Sequence, residues 1–123
     1  MCAKSKKPTV FICDDEEGIR ESFKLILGDD YDLRFATNGP EALESLKTLN
    51  PDLMLLDIKM PKIHGMEILK QVKKIKPKLP VVIVTGYQRV EMAQEALRHG
   101  ASDYVPKPFE SKQIQKIVSQ LTG

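Results

Sequence analysis

The chain has 123 residues, enough for one ordinary domain, and its 19 Lys+Arg against 17 Asp+Glu leave a formal net charge of +2. That balance excludes a disordered polyelectrolyte and argues against sequence-independent nucleic-acid binding. Cys2 and Cys13 supply neither a disulfide framework nor a metal cage, no apolar run approaches the roughly 20 residues of a membrane span, and the N-terminus lacks the apolar core of a secretory leader; the expectation is a single soluble, cytoplasmic domain with no membrane partner.

The run TVFIC, Thr9 to Cys13, is β-branched and aromatic and reads as a buried strand. Ile19, Phe23, Ile26 and Leu27 follow at helical spacing, with Gly28 where a helix end favours glycine. Tyr31, Leu33 and Phe35 alternate as in a strand. Asn38, Gly39, Pro40 and Glu41 make a helix start of the Asn-x-x-Glu kind, and the helix turns Ala42, Leu43, Leu46 and Leu49 inward. DLMLL, Asp52 to Leu56, is a continuous apolar strand ending at Asp57. Ile68, Leu69, Val72 and Ile75 mark a helix stopped at Pro77, and Val81 to Val84 form a strand ending at Thr85-Gly86. Ala93, Ala96 and Leu97 predict a helix ended by Gly100; DYV is a short fifth strand interrupted by Pro106; Ile114, Ile117, Val118 and Leu121 mark the last helix.

Five strand–helix units predict an α/β domain, a flavodoxin-like (βα)5 three-layer sandwich around a parallel sheet. The first, third and fourth strands are continuously apolar and belong in the centre. The alternating second strand and the proline-bearing fifth suit the edges, giving the order 2-1-3-4-5. Residues 9–123 make the domain and residues 1–8 a tail.

In such a sheet, ligands bind at the carboxyl ends of the strands, near the switch point between the first and third. Those ends carry Asp14-Asp15, Asp57, Thr85-Gly86 and Lys107-Pro108. Two carboxylates about 4 Å apart repel by roughly 4 kcal/mol at an effective dielectric near 20, so three of them need cations. Lys107 supplies one, and a hard divalent ion such as Mg2+ suits the remainder. The pocket is equipped for phosphoryl transfer, in which one carboxylate can serve as nucleophile. Each member also has a plainer reading: Asp14-Asp15 as a helix cap, Thr85-Gly86 as a turn, Lys107 as a solvated lysine. Asp57 resists one, because an acid ending an apolar strand is costly to desolvate.

With these residues in place, the sequence resembles the receiver domain of two-component response regulators over essentially its whole length. The matching pieces are Asp14-Asp15; DIKMPKIHG with Asp57, Pro61 and Gly65; VTG with Thr85; and GASDYVPKPF with Tyr104, Lys107 and Pro108. The wording of the last two is similar to receivers of the nitrogen-regulation type of transcriptional activator. The resemblance implies that Asp57 accepts a phosphoryl group from a sensor histidine kinase or phosphotransfer protein. It implies Mg2+ held by Asp15, Asp57 and the backbone carbonyl of Lys59, with Asp14 acting through water. Lys107 would bond a phosphoryl oxygen beside a cis peptide to Pro108, Thr85 would move to the phosphoryl group, and Tyr104 would change rotamer with it. The surface of helix four, strand five and helix five would pass the state to a downstream effector protein or a C-terminal output domain, with no direct nucleic-acid contact. Lys59 and Tyr87 occupy variable family positions near the phosphoryl group.

Other classes fit less well. An aspartate-nucleophile phosphatase generally needs an acid two residues past the nucleophile, where Lys59 stands. A nucleotide or flavin module wants a glycine-rich loop after the first strand, where this chain has CDDEEG. A phosphorylation-independent pseudo-receiver typically lacks a site residue, and here all are present. The chain is thus expected to be a phosphoacceptor switch rather than a turnover enzyme. His64 and His99 have no partner at metal spacing, and Lys73 to Lys78 reads as a solvated helix end.

Overall fold

The computed structural model describes residues 7–58, 65–86 and 90–122. Ten elements alternate: β1 (Thr9–Cys13), α1 (Glu17–Leu27), β2 (Asp32–Ala36), α2 (Gly39–Ser45), β3 (Leu53–Leu56), α3 (Gly65–Ile75), β4 (Val81–Thr85), α4 (Val90–Arg98), β5 (Asp103–Pro106) and α5 (Ser111–Thr122). The five strands form one sheet in the order β2-β1-β3-β4-β5, and every pairing is parallel. This is the predicted flavodoxin-like arrangement.

The two-residue period of each strand divides the apolar side chains into two cores. Phe11 and Cys13 of β1 join Met54, Leu56, Val81 and Ile83 on the face covered by α2, α3 and α4, through Ala42, Ile68, Leu69, Val72 and Ala96. Val10 and Ile12 join Leu53, Leu55, Val82, Val84 and Val105 on the opposite face, under Phe23 and Leu27 of α1 and Ile114 and Val118 of α5. Because β1, β3 and β4 bury side chains on both faces, they carry the continuous apolar runs. Phe23 stacks on Phe109 with ring centroids 5.1 Å apart, tying α1 to the segment that leads into α5.

Local chemistry sets most boundaries. Asn38 caps α2, its Oδ1 accepting the Glu41 amide at 2.8 Å, as the start signal predicts. The Glu41 carboxylate reaches back to the amide and hydroxyl of Thr37, one residue before the cap. α2 ends at Ser45, sooner than its inward pattern suggests, although Leu49 still packs against the first core. Gly28 follows α1 in a right-handed conformation, φ −62°, so it needs no left-handed freedom; what it provides is room, since a Cβ would run into the Lys24 backbone carbonyl. Gly100 does need that freedom, with φ 101° after α4. At Gly65, the start of α3, a side chain would run into the backbone of Ile58, so the helix can approach the end of β3 only with glycine there. Pro106 closes β5 as its last residue instead of interrupting it, as an edge strand permits.

Candidate functional site

Among the described residues, the buried polar or charged ones are Asp14, Asp57 and Thr85, and all three stand at carboxyl ends of strands. Sheet hydrogen bonding continues past the strands and fixes the backbone from which each side chain departs. The Asp14 amide donates to Ala36 O at 3.1 Å, the Asp57 amide to Cys13 O at 3.0 Å, and the Lys107 amide to Thr85 O at 2.8 Å. Strand length and register therefore place the site.

Lys107 occupies the centre. Its Nζ lies 2.8 Å from Asp14 Oδ2, 3.0 Å from Asp57 Oδ2 and 3.0 Å from Glu16 Oε1. The Asp14 and Asp57 side chains are each 3% exposed and that of Lys107 12%, so these pairs are poorly screened; the Glu16 side chain is 61% exposed. Burial lowers the affinity of Lys107 for its proton, but the bonds to Asp14 and Glu16 and the charge of Asp57 outweigh it and push its pKa above the ordinary lysine value. For Asp14 the balance falls the other way. Burial raises its carboxyl pKa above the usual range despite the Lys107 bond and the Glu16 amide, and the Asp57 charge adds to the rise. The same ion pair thus holds a proton on the less buried partner and leaves a net cost on the more buried one.

Asp14 is engaged on three sides. Oδ2 meets Lys107, Oδ1 accepts the Glu16 amide at 2.9 Å, and its backbone carbonyl accepts from Arg20 Nη1 at 2.9 Å. Glu16 is the N-cap residue of α1 and no side chain caps that helix, which sets aside the capping reading of Asp14-Asp15. Asp15 is exposed and, with Glu16, Asp57, Gly86 and Lys107, lines an open cavity of about 410 Å³ over the site. Tyr104 is half-buried beside the first core, and burial together with the Asp57 charge raises its pKa. The Lys107–Pro108 peptide is cis. Cys13 is buried one residue before Asp14; burial and the neighbouring acids push its thiol up to about 12, so it is a neutral packing group.

The structure thus brings together Asp14, Asp57 and Lys107 in direct contact, with Asp15 on the cavity wall and Thr85, at the end of β4, accepting from the Lys107 amide through its backbone carbonyl. Lys59, whose carbonyl completes the implied metal set, lies outside the described residues, as do Pro61, His64 and Tyr87. Sequence reasoning missed Glu16. Its signal was the third acid of CDDEEG, but only the position of Lys107, 91 residues away, gives that acid a role.

The donor set fits a hard divalent ion. Asp14, Glu16 and Asp57 each offer a carboxylate oxygen, and these oxygens lie within 4.8 Å of one another. This geometric set contains Glu16 where the resemblance implies Asp15.

Comparison with known proteins agrees with the fold. A sequence model of the response regulator receiver domain matches residues 10–119. The chain belongs to that family, the receiver domains of two-component signal transduction, for which phosphorylation and magnesium binding are typical. Among curated proteins it is similar to the regulatory protein AtoC of Escherichia coli strain K12, 37% identical over 112 residues, or 90% of this chain and 24% of that protein. It is 38% identical over 112 residues to the DNA-binding transcriptional regulator NtrC of the same organism, with the same coverage. The chain thus spans about a quarter of the length of these relatives. Among solved structures, the CheY-like receiver domain protein from Methanospirillum hungatei JF-1 superposes with a TM-score of 0.87 at 31% identity, covering 94% of both chains. NtrX from Brucella abortus superposes with a TM-score of 0.88 at 31% identity, covering 94% of this chain and 27% of that one. No helix of the described residues is long and apolar enough to cross a membrane.

Proposed function

We propose that this receiver domain is a phosphorylation-activated switch whose phosphoacceptor is Asp57. The observation that carries the reading is a single buried ammonium, Lys107, shared between Asp14 and Asp57 at the floor of an open acidic cavity. A carboxylate oxygen of Asp57 attacks the phosphorus of a phosphohistidine on a sensor histidine kinase or phosphotransfer protein. A P–O bond forms as the P–N bond breaks, and the imidazole nitrogen leaves with the bonding pair and takes up a proton. Asp14 and Asp57 would hold Mg2+ with Asp15 or Glu16 and the Lys59 carbonyl; the bound ion neutralises phosphoryl oxygens. Lys107 remains protonated, as its raised pKa requires, and turns from Asp57 to a phosphoryl oxygen. The Thr85 hydroxyl donates to the same group, and Tyr104 takes the space that this movement vacates.

Output then passes through α4, β5 and α5. Val90 and Leu97, two turns apart on α4, are 68% and 51% exposed, which suits a face that meets an effector protein or an output domain. Nothing in this scheme makes the domain a turnover enzyme or brings it to nucleic acid directly. Residues 9–123 form the receiver unit and residues 1–8 a tail, and the setting is cytoplasmic, where a kinase and its phosphodonor meet.

The test is incubation with Mg2+ and acetyl phosphate, followed by intact mass. Wild type should gain one phosphoryl group, and Asp57→Asn should gain none. A wild type that gains nothing would instead favour a phosphorylation-independent binding module.

A further inference from the structure

Glu16 belongs to the site by geometry and is a candidate holder of Mg2+, but the transfer just described gives it no role toward the phosphodonor. Its backbone amide bonds Asp14 Oδ1 and its carboxylate bonds Lys107 Nζ, so both ends of the residue are tied to the site. Unlike Asp14 and Asp57 it is mostly exposed, and it lines the mouth of the cavity through which a phosphodonor must come. It therefore adds a fourth carboxylate to Asp14, Asp15 and Asp57, against the one ammonium of Lys107 among the described residues. Every donor of a phosphoryl group carries negative charge, while the ion that the pocket suits is a divalent cation. One charge at the mouth must act on the two in opposite directions.

We infer that Glu16 is an electrostatic positioning residue that strengthens Mg2+ binding and slows phosphorylation by small anionic donors. This rests on the reading of Asp57 as phosphoacceptor and adds a determinant of donor choice to it. The effect has two parts of the same sign. Removing the Glu16 charge removes its attraction for the metal and its repulsion of the donor. It also releases Lys107 from a counter-charge, so the ammonium repels Mg2+ more and attracts the donor more. For an exposed charge a few ångströms from the site, the expected size is about three- to tenfold on each measurement at low salt. A protein donor docked over the mouth gains binding energy from contacts that a free acyl phosphate lacks, so the barrier weighs more on the small donor.

The test compares wild type, Glu16→Gln and Glu16→Asp in two measurements. One is the Mg2+ dissociation constant by calorimetry; the other is the rate of phosphorylation by acetyl phosphate at saturating Mg2+. Glu16→Gln should bind Mg2+ about three- to tenfold more weakly and accept phosphate about three- to tenfold faster, both differences shrinking as salt rises. Glu16→Asp keeps the charge and should return both values towards wild type. Mere loss of structure would lower both together, whereas a field effect moves them apart. Unchanged or tighter Mg2+ binding in Glu16→Gln would overturn the inference, and so would unchanged or slower phosphorylation. If wild type itself accepts no phosphate, the reading of Asp57 fails while the Mg2+ comparison still decides the action of the Glu16 charge.

Discussion

Lys107 balances two carboxylates that are almost wholly buried, and the three residues respond unequally to its loss. Lys107→Met leaves Asp14 and Asp57 facing each other without their shared ammonium. Removing one partner of a buried ion pair typically costs about 3–5 kcal/mol, so the metal-free melting temperature should fall clearly. Asp14→Asn should act in the opposite sense. A carboxyl pKa raised by folding means that the ionised form costs stability, a cost that sets in as pH rises from the ordinary 3.8 through the raised folded value. At pH 7 Asp14→Asn should therefore raise the metal-free melting temperature by about 2–6 °C, the shift of about 1 kcal/mol in a domain of this size, and at pH 3 the gain should vanish. Thermal scans at the two pH values check both variants. The sign for Lys107 is the reverse. Its pKa is raised, so its contribution is complete below the ordinary 10.5 and is lost as pH rises through the folded value.

At the scale of elements, strand ends do the positioning, and much of this was legible in the sequence. Continuous apolar runs marked β1, β3 and β4 because both their faces are covered, and each run stops at the residue that enters the site. Asp57 was the clearest of these, since an acid at the end of LMLL is costly to desolvate without a reason. Less legible was where helices stop. The inward pattern of α2 continues to Leu49, but at Lys47 and Thr48 the backbone bonds tighten to the carbonyls three residues back, Glu44 and Ser45, and Leu49 reaches the core from beyond that turn. Glycine roles were likewise hidden, because Gly28 and Gly100 both follow helices and only backbone geometry separates them. Gly100, at φ 101°, stands where a Cβ would also lie 3.1 Å from the Lys73 side chain. Gly100→Ala should cost about 1–2 kcal/mol, read as a lower urea midpoint with an unchanged slope; Gly28 needs no positive φ, but a Cβ there would run into the Lys24 backbone carbonyl.

For the molecule as a whole, a net charge of +2 conceals a local surplus of acid. The two cores meet that surplus only at the carboxyl edge of the sheet, where Asp14, Glu16 and Asp57 hold oxygens within 4.8 Å of one another. A cation that binds the folded site and not the unfolded chain must stabilise the fold by mass action. At a Mg2+ concentration one hundred times its dissociation constant, the gain is about 2.7 kcal/mol. Mg2+ should therefore raise the melting temperature of wild type and much less that of Asp57→Asn, with Ca2+ and a monovalent salt at matched ionic strength as comparisons. Part of this long-range arrangement was legible in the sequence and part was not. The predicted strand order already brought Lys107 to the acidic pocket, but that its ammonium would also gather Glu16 depends on where β5 ends relative to β1, which no local pattern encodes.

The central claim is that Asp57, and no other acid of the cluster, takes the phosphoryl group. An acyl phosphate can be trapped by reduction with borohydride, which marks the acid that carried it. After incubation with acetyl phosphate and Mg2+, peptide mapping should find the mark at Asp57 alone. A mark at Asp14, Asp15 or Glu16, or none in a protein that has folded and bound Mg2+, would contradict the account.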